Sequence, residues 1–111
     1  GHLVGDMVLS QLAKIISENL RASDIFGRYG GEEFLIICPK TTKENTLVLA
    51  EKLRTIVKTF EFDEVGYKTV SIGISDFQKD DTIETLFKKA DEALYEAKNS
   101  GRDKCVVSKT N

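Results

Sequence analysis

Arg28-Tyr29-Gly30-Gly31-Glu32-Glu33-Phe34 is the stretch on which the fold turns. A β-rich run, Asp24 to Tyr29, enters it, and a second, Glu32 to Cys38, leaves it. Two-residue hairpin loops need φ > 0 at their central positions, which glycine reaches without steric cost. Gly30-Gly31 therefore reads as a tight turn followed at once by two carboxylates. Glutamate is a poor strand former, and adjacent carboxylates repel. On a strand they point to opposite faces, although a turn or bulge can swing them together. Glycines beside carboxylates let a phosphate-bearing ligand come close to the backbone. A divalent cation held by the carboxylates can then bridge to that phosphate.

The chain has 111 residues, enough for one domain with one core. Apolar residues make up 41% and charged residues 31%, which places it with folded rather than disordered chains. A net charge of −2 gives no reason to expect nucleic-acid or anionic-membrane binding. No apolar run approaches a membrane span and no signal-peptide pattern opens the chain, so the expected location is the cytoplasm. An upstream segment could still anchor a parent protein. Cys38 and Cys105 match no metal spacing and read as reduced core thiols, a disulfide being unsupported.

Outward from the turn, apolar spacing predicts a helix over Asp6–Leu20, with Asp6 as its N-cap and Leu9, Leu12, Ile16 and Leu20 on one stripe. The hairpin is apolar on both faces, Leu35 and Ile37 on one, Phe34, Ile36 and Cys38 on the other. Such a strand belongs inside a sheet covered on both sides. Thr41 and Glu44 read as a capping box opening a helix to Thr59. Glu61–Gly66 is a polar connection, and Tyr67–Ser75 a strand. On that strand Val70, Ile72 and Ile74 share one face. Thr69, Ser71, Gly73 and Ser75 leave the other small enough for something to pack closely. Asp81 and Glu84 repeat the capping spacing before a helix whose inward face is Ile83, Leu86, Phe87, Ala90, Leu94 and Ala97. Gly101 stops that helix as C′, and Cys105–Val107 is a last short strand. The order α-ββ-α-β-α-β implies an α+β fold, a mixed sheet flanked by helices, in a single domain over residues 1–111.

The residues also resemble a known family. Arg28 to Phe34 is similar to the signature of the GGDEF domain, the catalytic domain of diguanylate cyclases, in its GGEEF form. Gly1-His2-x-x-Gly5-Asp6 resembles the family's GHxxGD segment, and Val70 to Ile74 its SIG strand. Ala90 to Lys98 resembles its ADxALYxAK helix, and Ser100-Gly101-Arg102 its SGR ending. Five segments in order cover nearly the whole chain, which is far more specific than one motif.

The resemblance implies a palm-like, ferredoxin-like nucleotide-cyclase fold and a reaction in which two GTP condense to cyclic di-GMP, releasing two pyrophosphates across a domain homodimer. It implies Mg²⁺ or Mn²⁺ held by Glu32 and Glu33, with Glu33 also a candidate base. Gly30 and Gly31 would let the phosphates lie on the backbone, Asp6 would read the guanine edge, and Lys98 and Arg102 would bind the terminal phosphates. Arg21 and Asp24 resemble the family's RxxD product-inhibition site for cyclic di-GMP; a second arginine used there by some members falls at Lys52.

The family's first strand and helix, with another metal carboxylate, precede the GHxxGD segment and lie before residue 1. The 111-residue chain alone is therefore expected to be inactive, and a parent protein to carry an N-terminal sensory or regulatory domain. A second reading is a non-catalytic receptor for GTP or cyclic di-GMP; the intact Gly-Gly-Glu-Glu-Phe favours the enzyme. No P-loop or dinucleotide-binding glycine motif occurs.

Overall fold

A computed structural model of the chain describes residues 2–109. Gly1, which opens the GHxxGD segment, lies outside them. The elements run α1 (His2–Glu18), β1 (Ile25–Tyr29), β2 (Glu33–Ile37), α2 (Lys43–Thr59), β3 (Glu61–Phe62), β4 (Gly66–Tyr67), β5 (Ile72–Ile74), α3 (Ile83–Asn99) and β6 (Cys105–Val107). The fold is α+β, as the sequence pattern implied. Antiparallel and parallel pairing are both present, but among the described residues they sit in separate two-stranded sheets: β1–β2, β3–β4 and β5–β6.

The core forms where α1 lays its stripe against α2. Leu12, Ile15 and Ile16 meet Leu53, Val57 and Phe62, with Phe26, Phe34 and Ile36 of the hairpin packed against them. Each such side chain contributes roughly 1.5–3 kcal/mol by leaving water. The hairpin is covered on this inner face only. Its outer face leaves Ile25 59% and Ile37 48% exposed, with Leu35 beside them, so the expected cover on both sides is not met by the described residues.

Several local expectations are corrected. Asp6 is no N-cap: α1 starts at least four residues earlier, so Asp6 stands inside the helix. Gly5 costs that helix about 1 kcal/mol, a cost its packed stripe absorbs. Thr42, not Thr41, caps α2, accepting from the Asn45 amide at 3.0 Å. Thr82 and Thr85 form the capping box of α3, a hydroxyl pair doing what was assigned to Asp81 and Glu84. Ile83, expected inward, is 85% exposed, because it falls in the first turn of α3, before the helix meets the sheet. Glu61–Gly66 is no polar link either: β3 and β4 pair there and bury Phe62.

The small face of β5 receives α3. A Cβ on Gly73 would collide with the Ala90 carbonyl oxygen and the Leu94 nitrogen and lie 2.8 Å from the Leu94 Cα, all backbone atoms. Ser75 adds a hydrogen bond from its hydroxyl to the Leu86 carbonyl at 2.7 Å. On the same buried side of α3, Lys89, 7% exposed, reaches with its ammonium to Asp81 Oδ2 at 2.6 Å. Asp81 also accepts from the Gln78 amide and the Thr85 hydroxyl. These bonds, the lysine first, hold its carboxyl at about 2, below the ordinary 3.8.

Two outcomes follow. Gly73→Ala should destabilise the chain by about 3 kcal/mol in a urea titration, because the obstructing atoms are helix backbone and cannot rotate away. The Asp81 carboxyl is depressed, so its pair stabilises fully above pH 3.8 and fades as pH falls toward about 2. Acid unfolding of the wild type should therefore steepen through that window, and in Lys89→Met, which keeps the Gln78 and Thr85 bonds but loses the largest contribution, the steepening should be clearly reduced.

Candidate functional site

Tyr29 pairs with Glu33, which leaves Gly30, Gly31 and Glu32 as the hairpin loop. The loop thus has one residue more than the tight turn read from the sequence. Only Gly30 has positive φ within it, at 75°. The extra residue changes the carboxylates: Glu32 sits in the loop and Glu33 opens β2, so strand alternation does not separate them to opposite faces. Arg28 closes the loop from behind. Its Nε donates to the Gly31 carbonyl at 3.0 Å and its Nη2 donates to the same oxygen. Sequence reasoning quoted Arg28 but gave it no role; its place before a glycine turn whose carbonyls lack ladder partners was the available signal.

The loop faces the first half of α1. An open cavity of about 770 Å³ is lined by Gly5, Asp6 and Leu9 from α1 and by Arg28, Tyr29, Gly30, Gly31, Glu32 and Glu33 from the hairpin. Asp6 therefore does reach the site, from a helix interior rather than a helix cap. From the other side α3 approaches twice. The Phe87 ring meets the Tyr29 ring at a centroid distance of 4.9 Å, and Lys98 Nζ lies 3.9 Å from Glu33 Oε2. Arg102 stands just past the end of α3, exposed, and does not line the cavity.

The predicted RxxD pair forms a separate unit at the base of the hairpin. The Asp24 carboxylate is fully buried and takes the Arg21 amide at 2.8 Å, Arg21 Nε at 3.2 Å and Arg21 Nη2 at 2.9 Å. Arg21 Nη2 also donates to the Pro39 carbonyl at 3.0 Å. The guanidinium holds the Asp24 carboxyl below its usual range, and Asp24 in turn raises the Arg21 value. A cavity of about 270 Å³ lies beside Arg21, lined also by Cys38, Thr41, Asn45, Thr46 and Leu49. Lys52, on α2, does not line it.

Among the described residues no three His, Cys, Asp or Glu side chains gather into a metal cage. Glu32 and Glu33 offer two hard carboxylates at an open loop. That donor set suits Mg²⁺, which keeps few protein ligands and fills its shell with waters and substrate phosphates. The described residues also include no helix long and apolar enough to cross a membrane.

The family model described as the GGDEF domain of diguanylate cyclases matches residues 1–104. The chain is 39% identical over 108 residues to the diguanylate cyclase DgcM of Escherichia coli K12, covering 97% of this chain and 26% of that protein. It is 43% identical over 112 residues to the response regulator PleD of Caulobacter vibrioides, covering 96% of this chain and 25% of that protein. It thus spans about a quarter of the length of these curated relatives. Among solved structures, the active GGEEF domain of a Vibrio cholerae diguanylate cyclase superposes with a TM-score of 0.92 at 34% identity, over 100% of this chain and 72% of that one. The GGDEF domain of DgcB from Caulobacter crescentus, in complex with c-di-GMP, gives 0.93 at 28% identity, over 99% and 68%.

Both cysteines are free and half-buried, and neither lines the cavity at the hairpin tip. Burial, and then a hydrogen bond with Glu51, push the Cys105 thiol up to about 12. Burial, and then Asp24, raise Cys38. Iodoacetamide at pH 8 should label Cys105 on the order of a thousandfold slower than a free thiol, read by mass spectrometry of the native protein.

Proposed function

The chain belongs to the GGDEF domain family, and from that premise we propose that the protein carrying it condenses two GTP into cyclic di-GMP. The observation that carries the proposal is the cavity at the hairpin tip. It gathers Asp6, Gly30, Gly31, Glu32 and Glu33, with Lys98 arriving on Glu33 from α3.

Each residue has work that fits its place. Gly30 and Gly31 carry no side chain between a triphosphate and the backbone. Asp6, an acceptor-only group when ionised, matches the donor-rich edge of guanine. Lys98 supplies a positive charge beside the loop for the terminal phosphates, and Arg102 a second one. Glu32 and Glu33 would hold Mg²⁺ or Mn²⁺, which would neutralise phosphate charge when bound.

The 3′-hydroxyl oxygen of one GTP then attacks the α-phosphorus of the other in line. Its proton passes to Glu33, the new phosphodiester bond forms, and the bond to pyrophosphate breaks. Each domain holds one GTP, so two domains face each other, and the reaction repeats with the roles exchanged to close the ring. The protein's main contribution is alignment of the two nucleotides and shielding of their charge. Arg21 and Asp24, away from the catalytic cavity, offer a site where the product can dock.

The pair Arg21–Asp24 also fits a receptor that binds cyclic di-GMP without making it, and one assay separates the two. The full-length protein is incubated with GTP and Mg²⁺, and cyclic di-GMP and pyrophosphate are quantified. Turnover is expected, and Glu33→Gln or Glu32→Gln should lower kcat by at least about 100-fold, the scale of losing a general base or a metal ligand. Product formation undiminished by both substitutions would overturn the proposal, and a protein that binds cyclic di-GMP but never forms it would be the receptor.

A further inference from the structure

The turn that follows α3 is left-handed over three successive residues. Gly101 has φ 121°, Arg102 60° and Asp103 48°. The first is an ordinary helix ending: the Arg102 amide returns to the Ala97 carbonyl at 2.9 Å, closing a Schellman motif with Gly101 at C′. The next two are costly, because each carries a Cβ in a region that L-residues avoid. One residue later the chain is fixed again, where Ile72 donates to the Lys104 carbonyl at 2.9 Å.

Between these anchors, both oxygens of Asp103 are gripped by α2. Arg54 Nη1 donates to Oδ1 at 2.8 Å, and Lys58 Nζ meets Oδ2 at 2.7 Å. Arg54 is itself oriented by Glu51, through Nε at 3.3 Å and Nη2 at 2.9 Å. Arg54 and Asp103 are mostly buried, 20% and 24% exposed, so water screens this clamp less than a surface pair. The residue held in the strained turn beside it is Arg102, whose exposed guanidinium forms no ion pair or side-chain hydrogen bond among the described residues. A strained backbone persists only where its surroundings over-determine it, and such strain concentrates where a side chain must be presented.

We propose that Asp103, clamped by Arg54 and Lys58, is a positioning residue that holds Arg102 in its left-handed turn so that its guanidinium is aimed at the terminal phosphates of GTP. The inference rests on the proposed GTP site and adds to it a part supplied by α2, an element with no place in the catalytic cavity. Without the clamp, residues 102 and 103 relax toward negative φ and Arg102 swings away while Lys98, still on α3, stays. The loss then falls on nucleotide affinity and leaves the carboxylate chemistry at the hairpin intact.

The test is a double-mutant cycle in the full-length protein, reading equilibrium GTP affinity and the steady-state constants, with thermal unfolding as the fold check. Asp103→Ala is expected to raise Kd and KM for GTP about tenfold with kcat within about twofold, the pattern of lost uniform binding. Lys58→Met, at an exposed cation that packing does not need, is expected to raise both about threefold. In an Arg102→Ala background neither substitution should weaken GTP further, because both act through that guanidinium. Folded Asp103→Ala and Lys58→Met proteins with wild-type GTP affinity would overturn the proposal, as would effects that simply add to those of Arg102→Ala. Should Asp103→Ala fail to fold, Lys58→Met alone decides by the same two criteria. A wild-type protein that binds no GTP would overturn the proposed function as well, which keeps the two failures distinct.

Discussion

The contact of α3 with β5 at Gly73 is the constraint on which the rest of the molecule depends. Helix backbone rests on strand backbone there, with no side chain between. Such a contact has no soft degrees of freedom, so the helix axis is set to within the tolerance of van der Waals packing. Every feature that α3 delivers inherits that placement: Phe87 against Tyr29, Lys98 beside Glu33, and the turn that presents Arg102. The Lys89–Asp81 pair secures the start of the same helix. A buried pair is weak evidence for net stability, but it does favour one seating of the helix over others.

Much of this was legible in the residues, for identifiable reasons. The small face of β5 announced a close approach, because a row of Thr, Ser and Gly buries little area on its own and makes sense only under another element. The hairpin was legible from its glycines, and the ends of α2 and α3 from apolar period and from Gly101. The site residues Asp6, Gly30, Gly31, Glu32 and Glu33 converge on one cavity, and Lys98 reaches its edge.

What escaped was decided by contacts distant in sequence or by single-residue shifts. Capping moved from Thr41 to Thr42 because either threonine can cap, and the packing of the apolar stripe chooses between them. Asp81 looked like a cap because its spacing to Glu84 is right; the lysine eight residues on claimed its carboxylate instead. Phe62 stood in a charged stretch, and only the short β3–β4 pairing turns it inward. The clamp on Asp103 joins residues 45 and 49 positions apart, and no local pattern encodes that. The hairpin loop was misjudged by one residue, since two glycines permit a two-residue turn without demanding one.

The Arg21–Asp24 unit carries a consequence for any anion that comes to it. A free arginine side chain surrenders about 2 kcal/mol of rotamer entropy when a ligand immobilises it. Arg21 has surrendered that freedom already, to a buried carboxylate and the Pro39 carbonyl. A phosphate docking on its exposed edge therefore meets a receptor frozen in advance, and its binding enthalpy is not spent on ordering the host. Lys52, on α2, is an exposed lysine on a flexible stem and offers no such economy. Arg21 is thus rigid before any guest arrives, whereas Lys52 would still have to be organised by one.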